Sequence, residues 1–242
     1  MISRDDTCVF CKIADLHVLV PAAGGLASRC KEYETESTAT VDVIIDRNRY
    51  RRDKWPGLDE QNLAYMESAY QFYYKLLEYN GMYLHASAVE LDGRAYLFSG
   101  PCGIGKSTHS RCWKELFGDR VILINDDKPA LRRLEDGWYA YGTPWCGKDG
   151  INANRKVPLA GICFLKQSEC NTIRRLSSLE ASINLLGQTI HKLEVGELDL
   201  LLSSADHLIR EIPIFELENR PEPEAALLSY ETMRRAAEEA GL

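Results

Sequence analysis

The sequence predicts an α/β fold: a mixed sheet whose glycine-rich loop is entered from an antiparallel hairpin, with a small β-rich lobe at the N-terminus. Three observations carry this. Gly100-Pro-Cys-Gly-Ile-Gly-Lys-Ser107 lies between an apolar run and a stretch of helical periodicity. Asp92-Gly93 separates two apolar runs, the strongest short-range signal for a two-residue hairpin. Beyond the loop, short apolar runs alternate with amphipathic stretches and turn residues, as in a layered sheet-and-helix domain.

The elements follow in order. Residues 8–20 read as strand and turn, Gly24-Gly25 as a break, and the β-branched run 39–45 as a further strand. Arg47 to Lys54 is basic and ends in the turn Trp55-Pro56-Gly57. This places a small lobe over 1–57 and a catalytic-type domain over 58–242. Asp59 is a helix N-cap, followed by Leu63, Met66, Tyr70, Tyr73 and Leu77 at helical spacing and stopped by Asn80-Gly81. After the hairpin and loop come a helix over 108–116 and a buried strand over 121–125. A second hairpin turns at Glu135-Asp136-Gly137. Residues 142–157 lack apolar periodicity and read as a functional loop. A buried strand over 157–165 precedes Ser177-Ser-Leu-Glu180, a capping box that opens a helix to about residue 193. A helix over 196–210, a strand over 212–217 and an amphipathic helix over 222–240 close the chain.

Composition bounds the function. The 242 residues are 45% hydrophobic and 27% charged, the balance of an ordinary globular protein. With 29 Lys+Arg against 36 Asp+Glu the net charge is −7, so neither nucleic acid nor an anionic membrane surface is an expected partner. Any anionic ligand must be met by a local site. The first residues show no secretory pattern, and residues 13–27 fall short of the roughly 20 apolar residues a spanning helix needs, so a cytoplasmic protein is expected. Eight cysteines spread along such a chain are expected as thiols rather than a disulfide framework. Cys8 and Cys11, with Cys30, have no second pair to complete four zinc ligands.

That local site is residues 100–107, which fit G-x-x-x-x-G-K-[ST], the Walker A pattern. Glycines let successive backbone N–H groups turn inward around phosphate oxygens, and the following helix adds the positive end of its dipole. Pro101, Cys102, Gly103, Ile104, Gly105, Lys106, Ser107 and Thr108 would cradle the phosphates of ATP. Lys106 would reach the β- and γ-phosphates, and the Ser107 hydroxyl would meet Mg²⁺.

Asp126-Asp127 directly follow a buried strand, where an open sheet delivers side chains into its ligand crevice. One can hold Mg²⁺ or its waters, and the other can accept a proton from an incoming hydroxyl; the sequence leaves open which does which. His85 lies on the strand before the hairpin. His17, His109, His191 and His207 carry no functional argument. In the loop, Lys148, Arg155 and Lys156 are candidates for stabilising charge on a transferred phosphoryl group. Trp145 reads as a packing aromatic.

Leu84-His85, the hairpin, the Gly-x-Gly-Lys-Ser loop and the strand ending in Asp-Asp together resemble the catalytic domain of HPr kinase/phosphorylase, over about residues 81–135, and behind it the phosphoenolpyruvate carboxykinase-type fold. The resemblance implies phosphoryl transfer from ATP to a hydroxyl, with Lys106 and Ser107 on ATP and Mg²⁺. It implies that Asp126 and Asp127 serve as metal ligand and base, with His85 near the transferred group. Cys102 stands where that family carries serine, and its Glu-x-Arg-Gly signature is absent. The expected acceptor is therefore another peptide or protein, or a small-molecule alcohol. Two other functions fit the same motif: a non-catalytic ATP-binding partner subunit, and a carboxykinase-like enzyme.

Overall fold

The computed structural model describes residues 8–22, 24–36, 40–189 and 193–242. At the N-terminus, β1 (Cys8–Ile13) and β2 (Leu16–Pro21) form a hairpin turned by Ala14 and Asp15, both left-handed at φ 51° and 60°. Next comes α1 (Gly24–Cys30), and β3 (Val43–Ile44) lies parallel to β2 to complete a three-stranded sheet. The expected break at Gly24-Gly25 is instead the start of a helix. Leu26 and Cys30, one turn apart, are buried, and α1 packs on the following helix, so tertiary contact overrides the poor helix propensity of glycine. Of the strand expected over 39–45, only Val43–Ile44 forms; residue 39 lies outside the described residues.

The hairpin is fixed at its tip. Asp15 accepts from the Tyr141 hydroxyl at 2.8 Å and pairs with Lys156 at 2.9 Å. The Ala14 carbonyl accepts from Arg132 at 2.6 Å. Helix α2 (Glu60–Leu76) opens with Asp59, whose carboxylate accepts the Asn62 N–H at 2.8 Å. It buries Leu63, Ala69, Phe72, Tyr73 and Leu76, and left-handed Asn80 turns the chain out.

Thereafter β4 (Gly81–Tyr83) leads to the hairpin of β5 (Ala86–Leu91) and β6 (Arg94–Ser99). Asp92 and Gly93 both take positive φ, 54° and 77°, the conformation that matches the twist of the flanking strands. The glycine-rich loop follows β6 and opens α3 (Lys106–Phe117). Then come β7 (Val121–Asn125), β8 (Ala130–Leu134), β9 (Gly137–Tyr141), β10 (Lys156–Gln167) and β11 (Thr172–Arg175). The chain closes with α4 (Ser178–Gly187), α5 (Val195–Glu211), β12 (Ile214–Asn219) and α6 (Pro223–Glu239). The Ser177 capping box forms as expected, but α4 ends at Gly187 rather than near 193; residues 190–192 lie outside the described residues.

The large sheet runs β4-β8-β9-β10-β6-β5-β7, with β12 also on β10 and β11 on β12. Strand β5 is antiparallel to both β6 and β7, β10 is parallel to β6, and β12 is parallel to β10. Strands β6, β7, β10 and β12 therefore share a direction, and their C-terminal ends lie along one edge. Alternation along β6 sends Ala95 and Leu97 to one core, with the N-terminal hairpin and α2. It sends Tyr96 and Phe98 to the other, with Trp113 of α3 and Met233 of α6. Among the described residues no helix is long and apolar enough to cross a membrane.

Candidate active site

Gly100, Gly103 and Gly105 take φ of 142°, 80° and 110°, values that residues with side chains rarely adopt, so this loop shape depends on glycine. Pro101, Cys102 and Gly103 are exposed, Ile104, Gly105 and Ser107 are half-buried, and Thr108 is exposed. Lys106 is the first residue of α3 and is buried. Its Nζ folds back over the loop, donating to the carbonyls of Gly100 at 2.9 Å and Pro101 at 3.2 Å. Burial lowers its pKa, offset in part by the nearby carboxylates of Asp127 and Asp126. Glycine-dependent turns, a helix N-terminus and a partly desolvated cation are the parts from which anion sites are built.

The two aspartates leave the end of β7 in different directions. Asn125, fully buried, accepts the N–H groups of Asp127 at 2.9 Å and Lys128 at 2.8 Å on its side-chain oxygen, while its amide donates to the Thr143 carbonyl at 3.1 Å. This closes a tight turn at the end of the strand, which frees both carboxylates from strict alternation. Asp126 accepts the Gly147 N–H at 3.1 Å. Burial pushes its carboxyl above the ordinary range, and the Gly147 hydrogen bond opposes that rise. Asp127 faces Nε2 of His85 at 3.4 Å, the Tyr65 hydroxyl at 3.4 Å and the ammonium of Lys128.

His85 is held at the same edge, since Ala86 pairs with Ser99 and the Ser99 hydroxyl donates to the His85 carbonyl at 2.9 Å. Its Nδ1 contacts Oε1 of Gln188 at 3.3 Å. Burial, reinforced by the charge of Lys106, lowers its pKa and favours the neutral ring. Beside His85, Asp127 and Lys128 opens a cavity of about 220 Å³, walled by Met66, Tyr70 and Tyr73 of α2, by Tyr83 and by Gln188. It can admit a group of side-chain size directly against His85 and Asp127.

The structure thus brings together the 100–108 loop, His85, Asp126 and Asp127. Lys148 is exposed, next to the glycine that holds Asp126. Arg155 and Lys156 are not brought to the site. Arg155 makes a two-pronged pair with Glu90 at 2.6 and 2.8 Å, and Lys156 pairs with Asp15 and lies over the Tyr139 ring. Trp145 is fully buried, stacked on Phe72 at 4.7 Å. His109 is buried in the core behind the loop, His17 lies by Asp42, and His191 is outside the described residues. Sequence reasoning missed Tyr65, Lys128, Gly147 and Arg29. Of these, Lys128 had a signal in its adjacency to the aspartate pair, and Gly147 in its place within the 142–157 loop.

Residues 57–219 match the family model of the SynChlorMet cassette protein ScmC. The chain belongs to this family. In the ScmC-family chain the matched span runs from the start of α2 through β12 and so contains the loop, both aspartates, His85 and the cavity wall. No curated protein matches it. Among solved structures it is similar to the Hpr(Ser) kinase/phosphatase from Coxiella burnetii, at 15% identity and a TM-score of 0.36, over 64% of this chain and 94% of that one. A likeness that distant has no bearing on activity.

Proposed function

We propose that the chain is an ATP-dependent phosphotransferase that moves the γ-phosphoryl group to a hydroxyl on a peptide, a protein or a small molecule. One observation carries this reading: the glycine-rich loop with Lys106 and the trio of His85, Asp126 and Asp127 meet at the shared C-terminal edge of β6 and β7. That edge is where open α/β sheets bind ligands.

The residues present suit Mg²⁺ delivered with a nucleotide. Among the described residues no three His, Cys, Asp or Glu side chains converge into a metal cage. Mg²⁺ in phosphoryl-transfer sites is held by one or two protein oxygens plus phosphates and waters, and Ser107 with Asp126 would provide the protein share. When bound there, the ion neutralises charge on the β- and γ-phosphates.

In this reading the loop amides and Lys106 bind the triphosphate, and Lys106 exchanges its carbonyl partners for phosphate oxygens. The acceptor occupies the cavity beside α2, its hydroxyl against Asp127. As the acceptor oxygen bonds to the γ-phosphorus, the bond from that phosphorus to the β–γ bridging oxygen breaks, ADP leaves with the electron pair, and Asp127 takes the hydroxyl proton. Lys128 fixes the carboxylate and donates toward charge at the reacting group, while neutral His85, whose one N–H faces the Gln188 oxygen, turns its Nε2 lone pair toward the proton that Asp127 takes up. The division of labour follows the geometry: Asp127 lines the cavity, while Asp126 is tied to Gly147 on the other side of the turn.

Incubation with γ-labelled ATP, Mg²⁺ and fractionated host lysate tests the proposal. Label in a peptide, protein or small-molecule fraction, lost in Lys106→Ala, is the expected result. ATP bound without turnover in any fraction would make the chain a nucleotide-binding partner subunit, and no ATP binding would remove the reading altogether.

A further inference from the structure

We propose that Arg29, carried by the N-terminal lobe, is a positioning residue for Asp126 and acts through the single peptide unit between Cys146 and Gly147. Its consequence for phosphoryl transfer rests on the function proposed above, while the geometry stands without it.

The Cys146 carbonyl oxygen accepts two hydrogen bonds of 2.8 Å, one from Nη1 of Arg29 and one from the Tyr65 hydroxyl. The other end of the same peptide, the Gly147 N–H, donates to Oδ1 of Asp126 at 3.1 Å. A peptide unit is planar and barely rotates about its C–N bond, so fixing the oxygen fixes the direction of the N–H. The same resonance couples the two ends electronically. Two donors on the oxygen, one of them cationic, draw density from the nitrogen and make its N–H a stronger donor; hydrogen-bond chains reinforce each bond by about 10–30%.

Arg29 is itself held in place. Its guanidinium lies over the Tyr65 ring at 5.1 Å and reaches the Gly147 carbonyl at 3.4 Å and the Cys146 sulfur at 3.5 Å. Tyr65 also faces Asp127 at 3.4 Å, so one carbonyl gathers the supports of both aspartates. Gly147 adds the steric half of the device: a β-carbon there would stand 2.4 Å from Oδ1 of Asp126. A surface arginine without a role would gain little from reaching across 117 residues of sequence to a backbone carbonyl. Here the reach gives the N-terminal lobe a purpose, since α1 projects the cation onto the loop that sets Asp126.

The amide signal of Gly147 in the ¹⁵N-labelled full chain reports the bond directly. Asp126→Asn sets the reference position for a weakened bond. Arg29→Met is expected to move the Gly147 amide proton upfield toward it, with Arg29→Lys intermediate. In parallel, Arg29→Met should weaken binding of ATP with Mg²⁺ about tenfold or more, the usual effect of removing a group that orients a metal ligand. Binding of ATP without Mg²⁺, which draws on the loop and Lys106, should hold. If Arg29→Met lowers the melting temperature, Arg29→Lys, which keeps a shorter cation beside Tyr65, and Tyr65→Phe, which leaves Arg29 as the donor on the Cys146 oxygen, make the same test. A Gly147 amide unmoved in all three variants overturns the inference. If the wild-type chain binds no ATP, the proposed function falls, and the amide shift still decides the role of Arg29.

Discussion

Gly147 donates its N–H to Asp126 from a position where any β-carbon would lie 2.4 Å from the carboxylate oxygen it serves. Its backbone is outside the left-handed region that favours glycine, so alanine fits the chain conformation and the conflict falls on the carboxylate alone. Gly147→Ala should therefore fold normally, with stability within about 1 kcal/mol of wild type as for other sites without core or backbone strain. Its calorimetric affinity for ATP with Mg²⁺ should fall at least about tenfold. Unchanged affinity would mean that Asp126 does not work from the position Gly147 gives it.

Asp127→Asn keeps the shape of the side chain and removes the proton acceptor of the proposed function. Because the proposed function assigns the triphosphate to Lys106 and the loop glycines and not to Asp127, ATP affinity should stay within a few-fold of wild type. Turnover should drop by about 10²–10⁴, the range for loss of a general base. Single-turnover measurements at saturating ATP separate the two. A variant with normal turnover would move the base to another group.

What was legible in the sequence is what local chemistry decides. Asp92-Gly93 encodes its hairpin within two residues, and the three loop glycines encode their own positive φ values. Adjacent Asp126 and Asp127 were readable because a strand end places neighbours together. The supports were not readable, because their partners are remote in sequence: Tyr65 meets a carbonyl 81 residues on, and Arg29 one 117 residues on. Arg155 and Lys156 show the converse. Their charge pointed to phosphate, but Glu90 and Asp15, each supplied by a distant strand or turn, pair with them elsewhere. The helix at Gly24 was hidden for the same reason, since Leu26 and Cys30 become an apolar face only when α2 lies beneath them.

Gly142 offers a test of how the 142–157 loop is closed. A β-carbon there would stand 1.8 Å from the Ala153 carbonyl oxygen and 3.0 Å from that of Ile124, both backbone atoms that no side-chain rotation can move. The Ala153 N–H donates to that same Ile124 carbonyl at 2.8 Å, so pushing the strands apart also breaks this bond. Gly142→Ala should cost about 3 kcal/mol, the upper end of overpacking in a tight interior. Urea unfolding monitored by the fluorescence of buried Trp145 measures it, and a midpoint equal to wild type would show that the contact is not kept in solution.

His109 gives the fold a pH dependence whose direction follows from its hydrogen bonds. The Ser229 hydroxyl donates to the Ala226 carbonyl at 2.9 Å and accepts from Trp113 at 3.0 Å, so at 3.1 Å it can only accept from Nε2 of His109 as well. The proton is thus on Nε2, and buried Nδ1 has no partner among the described residues. A second proton would put an unpaired charge beside the Phe98 ring, 4.4 Å away, and burial pushes the pKa down to about 3. The unfolded chain titrates this histidine near its ordinary value of about 6.5. Between those values the unfolded state binds the extra proton and the folded state does not. Stability is complete above about pH 6.5 and falls as the pH drops toward 3, by at most about 1.4 kcal/mol per pH unit from this group. His109→Gln keeps an N–H for Ser229 and removes the titration. Urea unfolding free energies of the two proteins at pH 7.5, 5.5 and 4.5 should converge as the pH falls, the carboxylate contributions being common to both. Parallel curves would show that His109 is not held neutral in the folded chain.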